Sequence, residues 1–66
     1  MQIQLNGSAF MLSDKTSVAE LLAMLDLLGK RVAVELNLDI VPRSQHANTV
    51  LKENDRVEVV HAIGGG

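Results

Sequence analysis

The 66-residue chain has no cysteine, a single aromatic residue (Phe10) and a formal net charge of −2, so neither a disulfide nor a thiolate-bound metal can support its fold. A domain this small buries only about 60% of its unfolded surface, which leaves the plentiful Leu, Val, Ile, Met and Ala side chains to hold it together. The mild acidity argues against a nucleic-acid partner, which demands a basic surface. The alternating start Met1-Gln2-Ile3-Gln4, with no basic n-region or long apolar run, argues against a signal peptide or membrane span. A cytoplasmic domain, monomeric when free, is expected.

Met1, Ile3 and Leu5 alternate with Gln2 and Gln4, the period of a half-buried strand. Asn6-Gly7 tolerates the positive φ of a type I′ turn, and a second strand over residues 8–12, with Phe10 and Leu12 on one face, completes a hairpin. Ser13-Asp14-Lys15 is turn chemistry. Ser17-Val18-Ala19-Glu20 then reads as a capping box. Val18, Leu21, Leu22, Leu25 and Leu28 form one apolar stripe, which predicts about twelve residues of helix, roughly 18 Å long. Gly29 stands where a left-handed C-terminal cap belongs, and Met24 and Leu27 fall at the edge of the core.

Val32, Val34 and Leu36 give a third strand, which Asn37-Leu38-Asp39 turns into a short strand at Ile40-Val41. Pro42, with no N–H to donate, stops that strand and suits a sheet edge. Residues 43–48 read as a loop with one helical turn, residues 49–51 as a brief contact with the sheet, and residues 52–55 as a polar turn. The last strand covers residues 56–62, with Val57 and Val59 on one face and Glu58 and Val60 on the other. It leads directly into Ile63-Gly64-Gly65-Gly66, where the glycines have nothing to pack and are expected to be flexible.

Hairpin, helix, two strands and a final apolar strand make a two-layer α+β arrangement. The final strand belongs at the sheet centre, parallel to the first. That is the β-grasp, or ubiquitin-like, roll: a mixed sheet of four to five strands with one main helix across one face. The expected organisation is a single domain over residues 1–63 and a tail over residues 64–66.

A β-grasp domain that releases a free glycine end resembles the ubiquitin-like sulfur carriers, and within them the ThiS family of thiamine biosynthesis. The resemblance rests on Met1-Gln2-Ile3-Gln4-Leu5-Asn6-Gly7, Val32-Ala33-Val34-Glu35-Leu36-Asn37, Ile40-Val41-Pro42-Arg43, Asp55-Arg56-Val57-Glu58-Val59-Val60 and Ala62-Ile63-Gly64-Gly65-Gly66. Order and spacing, rather than any one motif, make it specific. The chain departs from the pattern at Asn54, where glycine is commoner, but Asn tolerates left-handed backbone next best.

The resemblance implies a non-catalytic protein co-substrate. An E1-like adenylating enzyme would use ATP with Mg to convert the Gly66 carboxylate to an acyl-adenylate. A cysteine desulfurase or sulfurtransferase would supply sulfur to make a thiocarboxylate, which a thiazole synthase would consume. Partners would recognise Ile63, Gly64 and Gly65, and no cofactor would stay bound. The absent cysteine agrees with this, because a carrier without a thiol has only its C-terminal carboxylate to hold sulfur.

Two other readings share parts of this pattern: the small subunit of a molybdopterin synthase, and a non-reactive β-grasp binding module that contacts RNA. The acidic balance and single aromatic count against the second. His46 and His61 have no ligand-like spacing, and Asp14, Asp26, Asp39 and Asp55 form no acid/base pair. Lys30, Arg31 and Arg43 read as solvated or as rim contacts for a partner. Val60 and Ala62, apolar and on the face opposite the helix, are a candidate partner surface, with packing at the edge of the core the alternative.

Overall fold

Two hairpins, each turning on an asparagine, frame the sheet of the computed structural model, which describes residues 1–61. Strand β1 (Gln2–Leu5) pairs antiparallel with β2 (Ser8–Met11), Leu5 opposite Ser8. The two loop residues, Asn6 and Gly7, have φ of 49° and 86°, the double positive φ of the expected type I′ turn. The second hairpin joins β3 (Val32–Leu36) to β4 (Asp39–Val41) in the same way, with Asn37 at φ 51° and Leu38 at 75°. A leucine in left-handed backbone is rare, and Leu38 is 70% exposed at the turn's tip.

Strand β5 (Arg56–His61) lies between the hairpins, parallel to β1 and antiparallel to β3, in the order β2-β1-β5-β3-β4. The central, parallel placement agrees with the expectation, and β4 is the edge on which Pro42 ends the pairing. Val57 and Val59 are buried while Val60 is exposed, as the alternation requires.

The helix, α1 (Val18–Met24), starts as expected: Ser17 Oγ accepts from the Glu20 N–H at 3.1 Å and Glu20 Oε1 accepts from the Ser17 N–H at 2.8 Å. It ends four residues before Leu28, contrary to expectation. Asp26, at φ 60°, is the left-handed residue. The Asp26 N–H donates to the Ala23 carbonyl at 3.1 Å and the Leu27 N–H to the Leu22 carbonyl at 2.8 Å, the two bonds of a Schellman cap. Asp tolerates left-handed backbone next after Gly and Asn, so the helix closes before Gly29, whose φ of 82° belongs to the following turn.

The early stop rearranges the expected stripe. Leu27 folds back to pack against the core, Leu25 is half-buried, and Leu28 and Met24 face solvent. Val18, Leu21 and Leu22 still meet Ile3, Val34 and Val57 of the sheet, and Leu12, Val41, Leu51 and Val59 complete the core. Residues 49–51 add no strand to the sheet, and only the buried Leu51 side chain joins the core that the sheet residues form. Residues 49–51 brace the helix start instead, through a Ser17–Val50 bridge, a bond from the Val18 N–H to the Thr49 carbonyl and one from the Leu51 N–H to the Thr16 carbonyl. Leu51 thereby seals the N-terminal end of the core. The expected helical turn is a short 3-10 segment, Arg43–Gln45, and the polar turn before β5 holds Asn54 at φ 70°.

Both turn asparagines bind β5 through their amides. Asn6 Oδ1 accepts from the Val59 N–H at 2.8 Å, and Asn6 Nδ2 donates to the Val59 carbonyl at 3.3 Å. Asn37 Oδ1 accepts from the Arg56 N–H at 2.9 Å, and its Nδ2 donates to Asp55 at 3.1 Å. Strand β1 pairs with β5 only as far as Leu5 opposite Val57, so the Asn6 amide supplies the next rung after the chain has turned away. Asn6→Gly keeps the positive φ but leaves the Val59 peptide without this partner. It should cost about 1–3 kcal/mol in urea unfolding, whereas a loss near zero would mean that water replaces the amide freely.

Candidate functional site

The site is built on the end of β5, because this strand delivers the tail. In an antiparallel ladder, alternate residues direct their peptide groups to opposite neighbours. The Asn37 N–H bonds the Arg56 carbonyl, which places the Arg56, Glu58 and Val60 peptides toward β3. The Val57 and Val59 peptides face β1 and are met by Asn6. His61 falls in the same register as Val59, and among the described residues no strand covers its edge on that side. Among the described residues, β5 therefore ends with its backbone edge open on the β1 side.

Its two faces differ. On the face away from α1, Val60 stands directly opposite Ala33 and is 54% exposed, and Ile40 is exposed on β4, the strand beyond β3. Of the two readings of Val60, the structure favours a surface position over packing at the edge of the core. Glu35 and Glu58 oppose one another on this face, both half-buried, so the apolar patch is bordered by two carboxylates. On the α1 face, His61 is opposite Val32. Val32 lines a groove of about 220 Å³ between the end of α1 and the 3-10 segment, where the guanidinium of Arg43 donates to the Lys30 carbonyl at 3.0 Å.

Ala62, Ile63, Gly64, Gly65 and Gly66, and with them the expected tail flexibility, lie outside the described residues. His46 is buried and donates from Nε2 to the Val41 carbonyl at 3.0 Å, locking the 3-10 segment onto the end of β4. The two histidines thus stand in separate environments. Among the described residues, no three His, Asp or Glu side chains gather closely enough to hold a metal, and no helix is long and apolar enough to cross a membrane. The asparagine clamps on β5 are the feature that sequence reasoning missed. Their signal was the repetition of Asn as first residue of both turns, one of which lacks the glycine that a type I′ turn favours.

The profile of the ThiS family matches residues 2–66, the tail included. Sulfur carrier protein ThiS of Escherichia coli is 35% identical over 66 residues, covering the whole of both chains. The crystal structure of the thiamine biosynthesis protein ThiS of Geobacter metallireducens superposes with a TM-score of 0.87 at 32% identity, again over the full length of both. A thiazole synthase of Paramagnetospirillum magneticum is 39% identical over all 66 residues of this chain, which span 20% of that longer protein. A sheet with β5 at its centre, a capped helix across one face and a family match running to the last glycine lead to one conclusion: the chain belongs to the ThiS family, the sulfur carriers of thiamine biosynthesis.

Proposed function

We propose that this chain carries sulfur as a thiocarboxylate on Gly66, made by partner enzymes and consumed in building the thiazole ring of thiamine. The observation that carries the reading is the family match through residue 66 on a fold whose central strand runs directly into the tail. Residues 1–63 act as the recognised body and residues 64–66 as the reactive tail. The chain itself catalyses nothing, and the work is cytoplasmic.

The chemistry explains the residue types. A carboxylate is a poor electrophile, because its charge repels nucleophiles and its oxygen leaves badly. An E1-like adenylating enzyme overcomes both by joining the Gly66 carboxylate to AMP from ATP, releasing pyrophosphate. Mg neutralises the phosphates on that enzyme. The outer sulfur of a persulfide on a cysteine desulfurase or sulfurtransferase then displaces AMP. A second thiol of the sulfur-delivering enzymes cleaves the acyl disulfide so formed, releasing the thiocarboxylate and leaving a disulfide between the two cysteines. The resulting thiocarboxylate, ionised at neutral pH, offers a soft nucleophilic sulfur to thiazole synthase. The likeness of this chain to a segment of a thiazole synthase supports that choice of acceptor.

Glycine suits the tail because, without Cβ, it allows an enzyme's walls to close on the backbone. Ile63 to Gly66 extended reach about 13 Å, enough to place the carboxylate in a nucleotide pocket while the body stays outside. The open edge at His61 offers peptide groups for an enzyme strand to pair with, and Val60, together with Ala62 two residues on in sequence, is the proposed apolar contact.

With the cognate adenylating enzyme and Mg-ATP, the chain should support ATP–pyrophosphate exchange, and a chain that supports none would overturn the reading. Val60→Asp should leave stability within about 0.5 kcal/mol, because the side chain is exposed, yet raise KM for the carrier several-fold by placing charge on an apolar contact. An unchanged KM would remove Val60 from the interface.

A further inference from the structure

We propose that the groove at the end of α1 is a second contact for the adenylating enzyme, occupied by an acidic segment of that enzyme bearing one aliphatic or aromatic side chain. The inference rests on the carrier reading above and names the partner chemistry for a surface that reading does not use.

The groove follows from the Schellman cap. Because the helix closes at Asp26, Leu27 folds inward beside Leu22, and the chain then passes Leu28 and Lys30 before entering β3 at Val32. Leu22, Leu27 and Val32 line the floor, and Leu28, 63% exposed, forms a wall. At about 220 Å³ the volume is below the range of roughly 300–1,000 Å³ typical of small-molecule sites and fits a single large side chain. An exposed leucine beside an apolar hollow is an anchor point of the kind that interfaces fill with one residue.

Charge identifies the occupant. Lys30 and Arg43 line this groove, two of the six Lys and Arg in the chain. The remaining four, set against eight acidic residues, leave the rest of the molecule at −4 in a chain of net charge −2. Arg43 is held at the rim by its bond to the Lys30 carbonyl, which uses one of the five donors of a guanidinium. An apolar hollow with a basic rim on an acidic protein selects an apolar side chain flanked by carboxylates.

Position identifies the enzyme. Val32 stands opposite His61, so the groove opens where β5 hands over to the tail, and an enzyme that takes the tail lies against it. Adenylation brings a carboxylate up to the polyphosphate of ATP, two like charges, so contacts to the folded body must contribute the binding that the tail alone lacks.

The test is pyrophosphate exchange with the cognate adenylating enzyme, comparing Lys30→Glu, Leu28→Ala and the remote charge reversal Lys52→Glu, with each fold checked by thermal melting. Lys30→Glu should raise KM for the carrier about tenfold at low ionic strength with kcat unchanged, and the gap should close as salt rises. Leu28→Ala should raise KM several-fold with little salt dependence, and Lys52→Glu should stay within about twofold. If the parent exchanges normally but Lys30→Glu matches Lys52→Glu, or acts on kcat alone, the groove proposal falls and the carrier reading stands. A parent chain with no exchange would overturn both.

Discussion

A chain extended by one alanine after Gly66 should fold normally and lose ATP–pyrophosphate exchange with the adenylating enzyme by about a hundredfold or more. The extension places a Cβ at the reacting centre, where the enzyme closes on bare backbone, and it moves the carboxylate by up to about 3.5 Å. Displacements of that order commonly cost about a hundredfold, because the carboxylate oxygen no longer lies in line with the α-phosphate. Truncating Gly65 and Gly66 shortens the reach by about 7 Å and should be equally damaging. Val18→Ala is the contrasting variant: it removes two buried methyl groups from the core but leaves the tail intact. It should lower stability while exchange persists at any temperature where the domain is folded. An alanine-extended chain that exchanges as fast as the parent would show that the glycines are only slack.

Leu21→Ala should destabilise the domain by roughly 2–5 kcal/mol in urea unfolding. Leu21 has no exposed surface and is among the largest fully buried side chains, pressed between α1 and the sheet with Ile3, Val34 and Val57. Removing it leaves a cavity that a seven-residue helix, fixed by a capping box at one end and a Schellman cap at the other, has little freedom to collapse into. Small domains hold only about 5–15 kcal/mol in total, so the variant approaches the unfolding threshold. Leu25→Ala should cost distinctly less, because Leu25 is half-buried at the helix cap. A loss below about 0.5 kcal/mol at Leu21 would mean that the helix does not pack on the sheet.

The sequence is most legible where one physical signal acts alone. Strand alternation at Ile3, Val34 and Val57, the Asn6-Gly7 turn and the Ser17/Glu20 capping box each survive in the structure because no competing interaction opposes them. The helix end is not legible in the same way, because the leucine stripe continues through Leu28 while the left-handed backbone at Asp26 closes the helix. Side-chain periodicity reports what a helix would bury if it continued, whereas the cap bonds decide whether it does. Residues 49–51 read as a brief contact with the sheet, yet their backbone groups bond Thr16 and Val18, partners that no local pattern names. The site divides the same way. Val60 follows from alternation, but the groove by Val32 arises from the cap geometry and the 3-10 segment together, elements separated by the whole of β3 and β4.

The central claim is that Gly66 carries sulfur, and intact mass of the protein purified from its own cells tests it most directly. The account predicts a species heavier than the unmodified chain by the difference between one sulfur and one oxygen atom, with fragmentation placing the change on Gly66. Co-purification with a thiazole synthase would assign that sulfur to thiamine. A single species at the unmodified mass in cells actively making thiamine, or a sulfur located anywhere but Gly66, would contradict it.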